Sequence, residues 1–456
     1  MSAAVSSEFI NQLKDAVGEK NVITEGIGAD FCHDEYPGGD YTPVAVVEAE
    51  STETVAAVMK LCCENAVGVT VRGAGTGQVG GSVPVKGGIV LSVKGMNKVL
   101  GYADGILKVQ PGVLLQDVKA EAEAKGMYYP PDPGEATATI GGNAATNAGG
   151  PCAVKYGKTR DYVESVVAVL ADGSVETFSG SEALASVIGS EGTLAVITEL
   201  SLKLIEKPGA DAILLFPFAD LESAAAGAKA ILDKGFDPAV MELMDTDLVE
   251  FSGKVTGNPV FPVEMDGERV AATLMVTLEG ADDDDVMEKM ESVAEMTEEG
   301  ELEPLDILVG DSITMKRDFW AAHSAFHTSM ESGAKSAREM NIDVPMESIP
   351  EMIDFAKEAG AECGLKVLLH AHLASGGMHI HVASDTLSRE ELAPVFDGFA
   401  EKVYAKCVEL GGSVAGEYGV GYAKVKYLPE QVKAAHKALK TKLDPKGILN
   451  PGKISD

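Results

Sequence analysis

The sequence predicts an α+β protein built from more than one domain, and three observations carry that reading. The chain has 456 residues, more than one core of about 100–200 residues usually accommodates. Up to residue 206, strand-like and helix-like segments alternate with Gly-rich turns. Between residues 212 and 309 the order becomes strand, helix, strand, strand, helix, strand, the split pattern of a ferredoxin-like sheet. Hydrophobic residues make up 45% and charged residues 24%, an ordinary globular balance.

In chain order, Val44, Ala45, Val46 and Val47 read as a strand. A helix carrying Val55, Ala56, Val58, Met59 and Leu61 follows, and then alternating Val67, Val69 and Val71 lead into a Gly-rich turn. Strand-like runs recur at 89–93 and 107–110, a helix at 114–124, and two strands at 165–170 and 175–178 around Asp172-Gly173. The stretch 192–204 reads as one more strand pair. A boundary falls near Glu206-Lys207-Pro208. Beyond it, strands are expected at 212–218, 239–244, 271–278 and 305–309, with helices at 221–234 and 284–298. The acidic run Asp282–Asp285 fits a helix N-terminus, where negative charge is favourable. Helical sequence is expected from Ser312 to about Glu339.

The formal charge of −34 argues against nucleic acid or anionic lipid as a partner and favours solubility. Met1 is followed by polar, helix-like sequence, so no signal peptide is expected. No apolar run reaches the length of about 18 residues that a membrane span needs. The six cysteines include no C-x-x-C, which suits free thiols in a reducing cytoplasm.

Arg72-Gly73-Ala74-Gly75-Thr76-Gly77 directly follows a strand. Consecutive glycines there let backbone N–H groups converge on an anion such as a pyrophosphate, although a plain turn fits equally well. Two further blocks accompany it. One runs Pro131-Asp132-Pro133-Gly134, then Thr139-Ile140-Gly141-Gly142-Asn143-Ala144-Ala145-Thr146-Asn147-Ala148-Gly149-Gly150, then Tyr156-Gly157. The other is Gly189-Ser190-Glu191-Gly192-Thr193-Leu194. With Gly80-Gly81-Ser82-Val83-Pro84, these blocks resemble the FAD-binding domain of the vanillyl-alcohol oxidase and p-cresol methylhydroxylase superfamily. Within it they resemble the FAD-linked D-lactate, glycolate and D-2-hydroxyglutarate dehydrogenases.

That resemblance implies a FAD-binding domain over 1–206, a ferredoxin-like cap or substrate domain over 207–410, and a segment over 411–456 that returns to the flavin. It implies that the first Gly loop, with Gly81 and Ser82, holds the pyrophosphate. The 132–150 region would wrap the ribityl chain and ring, with Pro131 and Tyr156 also at the cofactor; Glu191, Gly192 and Ile197 would lie by the adenosine half, and Asn450 would sit close to the ring. Thr76 stands where some relatives carry a flavin-linking histidine, so non-covalent FAD is expected. Cys152 is read as a packing residue rather than a flavin link.

Four of the eight histidines crowd together: His370, His372, His379 and His381. Alternation puts each i, i+2 pair on one side of a strand, and the four need not share a face. The turn Gly376-Gly377 can bring His372 and His379 together, as a metal pair or as satisfied core histidines. By the resemblance, Glu417 in Gly416-Glu417-Tyr418-Gly419 joins them to hold a divalent metal, Zn or Fe(II) or Mn. His370 and His381 would then support the ligands. A metal there would acidify the hydroxyl of a bound 2-hydroxy acid, with hydride passing to flavin N5.

Two departures stand out. Relatives carry His after the metal-binding Glu, and this chain has Tyr418, a weak base at neutral pH. The proton then falls to His323, His327 or solvent at the metal. Relatives also show Trp-x-x-Arg, whereas Trp320 is followed here by His323. Arg338, shortly before Asp343-Val344-Pro345, is the preferred partner for the substrate carboxylate, and loss of the fork-shaped guanidinium at 323 favours a small monocarboxylate. The resulting expectation is a dehydrogenase for D-lactate or a similar small D-2-hydroxy acid. It would resemble the lactate dehydrogenase subunit that pairs with an electron-transferring flavoprotein. Electrons would leave to such a flavoprotein, with bifurcation, or to an iron–sulfur subunit. The alternatives are a glycolate or D-2-hydroxyglutarate dehydrogenase subunit, or a non-catalytic flavin-binding subunit of a larger oxidase.

Overall fold

The computed structural model describes residues 5–454. The N-terminal reading that begins at Met1 lies partly outside them. The chain divides into two compact units, one of residues 1–149, 158–207 and 417–456, the other of residues 150–157 and 208–416.

The first unit holds two principal sheets. Strand β1 (Val22–Ile23) pairs antiparallel with β2 (Ala45–Glu48), which runs parallel to β4 (Ile89–Ser92) and through it to β3 (Val69–Arg72). A second, antiparallel sheet has the order β5 (Val99–Ala103), β6 (Ile106–Val109), β10 (Val196–Lys203), β8 (Val163–Val169), β9 (Val175–Ser179). A short pair, β7 (Met127–Tyr128) with β11 (Ile205–Glu206), completes the set. The stretch expected to be a strand pair at 192–204 is instead one long strand, β10, because it fills the gap between β6 and β8 and pairs with both.

The helix Thr52–Asn65 begins where the Ser51 side chain accepts a bond from the Thr54 N–H and ends at left-handed Ala66. Its apolar face, Val55, Val58, Met59 and Cys62, packs with Phe9 and Leu13 of the helix Ser7–Val17 onto Val47, Val69, Ile89 and Leu91. Ile448 and Leu449 enter the same core from the far end of the chain. Backbone bonds from Val69 N–H to the Ile448 carbonyl (2.8 Å) and from Asn450 N–H to the Val69 carbonyl (2.7 Å) lay this tail beside β3.

The second unit is organised on one antiparallel sheet. Strands β12 (Ala210–Phe218), β13 (Val240–Asp245), β16 (Ala272–Gly280) and β17 (Leu308–Gly310) take the order β17-β12-β16-β13 once the small hairpin β14 (Glu264–Met265) and β15 (Glu268–Arg269) is set aside. This is the predicted ferredoxin-like arrangement. Three more strands extend it beyond β13: β19 (Lys366–His372), then β20 (Gly377–Ser384), then β18 (Ser336–Asp343). Asp282 caps the helix Asp283–Glu298 by accepting from the Asp285 N–H, as the acidic run predicts.

Two expectations fail in this unit. The helix Thr246–Thr256 has no predicted counterpart. The segment Ser312–Glu339 is not helical throughout: helices Ile313–Ser324 and Phe326–Gly333 are followed by β18. All residues from Ser336 to Asp343 pair with β20, and this ladder overrides the helix-forming Ala-Arg-Glu-Met run. Phe319, Ala322, Phe326 and Met330 of the two helices pack over Met244 and Leu368, so they cover the sheet face on which those two residues lie.

Leu449 is completely buried, and a cavity there disturbs the anchoring of the tail. The change Leu449→Ala is expected to cost about 2–5 kcal/mol. Chemical denaturation of the purified protein measures this, and a cost under about 0.5 kcal/mol, typical of a surface change, would show that the tail does not hold the core.

Candidate functional site

In the first unit the Gly loop leaves β3 at buried Arg72, whose guanidinium donates to the His33 carbonyl (2.8 Å) and the Ser82 hydroxyl (3.2 Å). Gly73 lies so close to Thr139 that a Cβ would meet its Oγ1 at 2.2 Å. Thr139 in turn accepts from the Gly142 N–H at the start of the helix Ile140–Thr146. Gly75 is at φ +83°, and Ala74, Thr76 and Gly77 complete an open loop beside it. Gly141 packs on Pro111, and the buried Asn143 Nδ2 has no hydrogen-bond partner. A backbone cradle with a buried unused donor suits a polyanionic, hydrogen-bonding cofactor such as FAD.

Several residues expected at the flavin also make bonds within the protein. The Glu191 carboxylate accepts from the N–H groups of Val420 and Gly421, both at 2.7 Å. Burial raises its pKa, and these donors with Lys424 and Lys453 oppose the rise. Asn450 donates to the carbonyls of Gly81 (2.9 Å) and Glu191 (2.7 Å), tying the tail to both Gly blocks. Asp132 pairs with Lys119 and receives the Gly134 N–H beside buried Pro131. Thr146 donates back to the Gly142 carbonyl, Asn147 at φ +52° accepts from the Arg160 N–H, Gly192 packs on Val71, and Ile197 is buried in β10. A Cβ on Gly149 would meet Glu417 Oε1 at 3.0 Å. Gly150 and Tyr156 belong to the second unit, where the Tyr156 hydroxyl donates to Glu279, which also holds Lys155. Cys152 packs against that unit's core, as expected.

In the second unit, strand register builds a polar cluster. His370 stands opposite His379 across β19 and β20, Leu368 opposite His381, Glu242 of β13 opposite His372, and Glu339 of β18 opposite His381. Residues opposite one another share a face, so all four histidines and both glutamates lie on one side of the sheet. The helices above add His323 and His327.

These groups form a chain. His323 Nε2 meets Glu242 Oε2 at 3.0 Å, and Glu242 Oε1 meets His372 Nδ1 at 2.6 Å. His372 Nε2 faces His379 Nε2 at 3.1 Å. His379 Nδ1 meets Glu339 Oε1 at 2.9 Å, and Glu339 Oε2 meets His327 Nδ1 at 2.6 Å. Each Nδ1 hydrogen is directed at a buried carboxylate, so in the neutral rings both Nε2 atoms present lone pairs to each other. A cation between them removes that repulsion. Nitrogens about 2.0–2.1 Å from one metal, at tetrahedral or octahedral angles, stand about 2.9–3.4 Å apart. Carboxylate-backed imidazoles are also the usual surroundings of metal-binding histidine. The residues therefore fit a divalent metal.

The charges agree with this. Burial alone would raise the Glu242 carboxyl, but His372 and His323 hold it below the usual range. Glu339 is held well below that range by His381, His327 and His379 against a larger burial effect. Burial and the surrounding imidazoles push His370 well down, and burial pushes His381 down to about 4, so both rings are neutral at pH 7. The bond to Glu339 raises His327.

The structure brings His323, His327, His372 and His379 together and does not bring Arg338 to them. Arg338 alternates with Glu339 on β18 and lies over the Phe396 ring at 5.4 Å, on the opposite face of the sheet from the histidines. Arg338, expected to hold the substrate carboxylate, thus does not face this cluster: the helix expected around it is a strand, and period-2 alternation turns the side chain away. Glu417 follows Gly416 at the point where the chain passes between units; Gly416 packs on Asn341, the cross-strand partner of His379. Tyr418 is half-buried. Glu242 and Glu339 were not singled out in the sequence. Only the isolated acid within an apolar strand, Val240-Met241-Glu242-Leu243-Met244, signals the first.

Residues 43–179 match the family model described as FAD binding domain, and residues 207–454 match that of FAD linked oxidases, C-terminal domain. The chain belongs to the FAD-linked oxidases. It is 39% identical to a protein of Anaerostipes hadrus named D-lactate dehydrogenase, over 99% of this chain and 98% of that protein. It is 30% identical to the glycolate oxidase subunit GlcD of Bacillus subtilis, over 99% and 97%. Its fold is that of p-cresol methylhydroxylase, with a TM-score of 0.81 at 18% identity over 99% of this chain and 98% of that one. This FAD-linked oxidoreductase has, among its described residues, no helix long and apolar enough to cross a membrane.

Two outcomes follow from the geometry. Replacing Glu242 by Gln removes the charge behind His372, and zinc affinity is expected to fall by about 10–100-fold in chelator competition; unchanged affinity would remove Glu242 from the site. Separately, burial raises the Asp34 carboxyl, beside the Gly loop, to about 6, partly offset by the Tyr36 N–H and Arg72. A raised carboxyl favours the fold below its unfolded value near pH 4, and that contribution is lost as pH rises through 6. Asp34→Asn is expected to gain stability relative to wild type on going from pH 4 to pH 7.5 in denaturant melts, and parallel pH profiles would refute this.

Proposed function

We propose that this chain oxidises D-lactate, or a similarly small D-2-hydroxy acid, to the 2-oxo acid. The observation that carries the reading is the pair of carboxylate-backed imidazoles of His372 and His379, with Nε2 atoms 3.1 Å apart. The relative named D-lactate dehydrogenase supports the choice of substrate. His372, His379 and Glu417 hold the metal, zinc or Fe(II) or Mn, and FAD is held without a covalent bond by the 72–77 loop and the 139–150 block. When bound, the flavin supplies a two-electron acceptor and the metal a Lewis acid for the hydroxyl and carboxylate of the substrate.

The chain's own residues position and balance charge. Glu242 and Glu339 fix both ligand rings with Nε2 forward. His323 and His327 are engaged by those carboxylates, so they act on the ligands through them. Tyr418, next to Glu417, orients the substrate. With His323 in place of a guanidinium and Arg338 turned away, the site favours a monocarboxylate over a dicarboxylate. Electrons leave to a protein acceptor, an electron-transferring flavoprotein or an iron–sulfur subunit, and the free cysteines suit a cytoplasmic location. The relative named as a glycolate oxidase subunit makes glycolate the second candidate.

Anaerobic titration with D-lactate, L-lactate, glycolate and D-2-hydroxyglutarate, followed at the flavin absorbance, tests the reading. D-lactate is expected to bleach the flavin fastest. His372→Ala is expected to slow bleaching by about 100-fold or more, the scale of losing a transition-state charge stabiliser. Preference for D-2-hydroxyglutarate, or bleaching indifferent to His372→Ala, would overturn it.

A further inference from the structure

A second group of donors lies on the same sheet face. Glu339 gives Oε1 to His379, while its Oε2 lies 2.6 Å from His327 Nδ1 and 3.6 Å from His381 Nδ1. His327, Glu339 and His381 each offer one ligand atom, all within 4.8 Å of one another. The 3.6 Å separation is too long for a hydrogen bond. It matches two bonds of about 2.1 Å meeting at one cation at roughly 120°, whereas the 2.6 Å His327–Glu339 contact is a hydrogen bond that the ion would replace once His327 Nδ1 gives up its proton and the half-exposed ring moves back.

The surroundings point the same way. His381 is completely enclosed, and its Nε2 meets His370 Nδ1 at 3.3 Å with the two rings stacked at 5.3 Å. If Nε2 donates that bond, His381 Nδ1 is left as a bare donor atom aimed at Glu339. The His327 side chain is 43% exposed, so an ion and its water have a route in from that side. Two imidazoles and one carboxylate form the donor set of many three-ligand zinc sites with an open position.

We propose that His327, Glu339 and His381 bind a second divalent first-row metal, with Glu339 dividing its two oxygens between this ion and the ring of His379. The second ion neutralises the outer oxygen of a buried carboxylate whose inner oxygen orients His379. Its presence does not depend on which hydroxy acid the protein oxidises.

The test is zinc content of the full-length, flavin-loaded protein, dialysed against free zinc buffered in the nanomolar range so that exposed acidic groups do not contribute. About two zinc ions per chain are expected in wild type and about one in His327→Ala and His381→Ala, since each change deletes one three-ligand site. His372→Ala is also expected to hold about one, and His327→Ala with His372→Ala none. Flavin absorbance checks folding, and half-exposed His327 keeps the test usable if His381→Ala does not fold. About one ion in both wild type and His327→Ala would overturn the second site while leaving the first intact. Two ions retained in His327→Ala would overturn it as well.

Discussion

Across the β19–β20 hairpin His370 faces His379, and this register decides what one face of the sheet can do. The side-chain period of a strand is two, so a slip of one residue would turn the histidines of one strand to the far side. In the observed register they meet Glu242 from β13 and Glu339 from β18. The three strands added to the ferredoxin-like set therefore do more than enlarge the sheet. They bring into contact acids and imidazoles separated by as many as 130 positions in the chain.

A buried carboxylate is tolerated only where its charge is matched. Glu242 is completely buried between His323 and His372, and Glu339 lies between His379 and His327. Each acid fixes one imidazole, that of His372 or His379, by its Nδ1 hydrogen, which sets the direction of the opposite nitrogen. Burial keeps His370 and His381 uncharged at pH 7. The face thus alternates charged and neutral groups in a way that leaves two lone pairs converging on one point.

The first unit solves a different problem. Its glycines admit close backbone approach, at Gly73 against Thr139 and at Gly75 with positive φ. The loops so formed are held by the distant tail. Asn450 bonds to the carbonyls of Gly81 and Glu191, and Glu191 fixes the backbone at Val420 and Gly421. Both side chains thus brace the loops expected to hold the flavin.

Local pattern was enough to reveal the Gly blocks, most strands, the capped helix after Asp282 and the pairing potential of His372 and His379, because each is written within a dozen or so residues. It was not enough for β5, whose residues are all exposed and show no alternation, or for β18, whose Ala-Arg-Glu-Met run favours helix on its own. The sequence by itself determined an α+β flavoprotein with a histidine cluster. Tertiary structure alone decided which face those histidines share, that Glu242 and Glu339 back them, and that Arg338 turns away. Those outcomes depend on strand register and sheet order, which arise from pairing between distant segments and leave no trace in local periodicity.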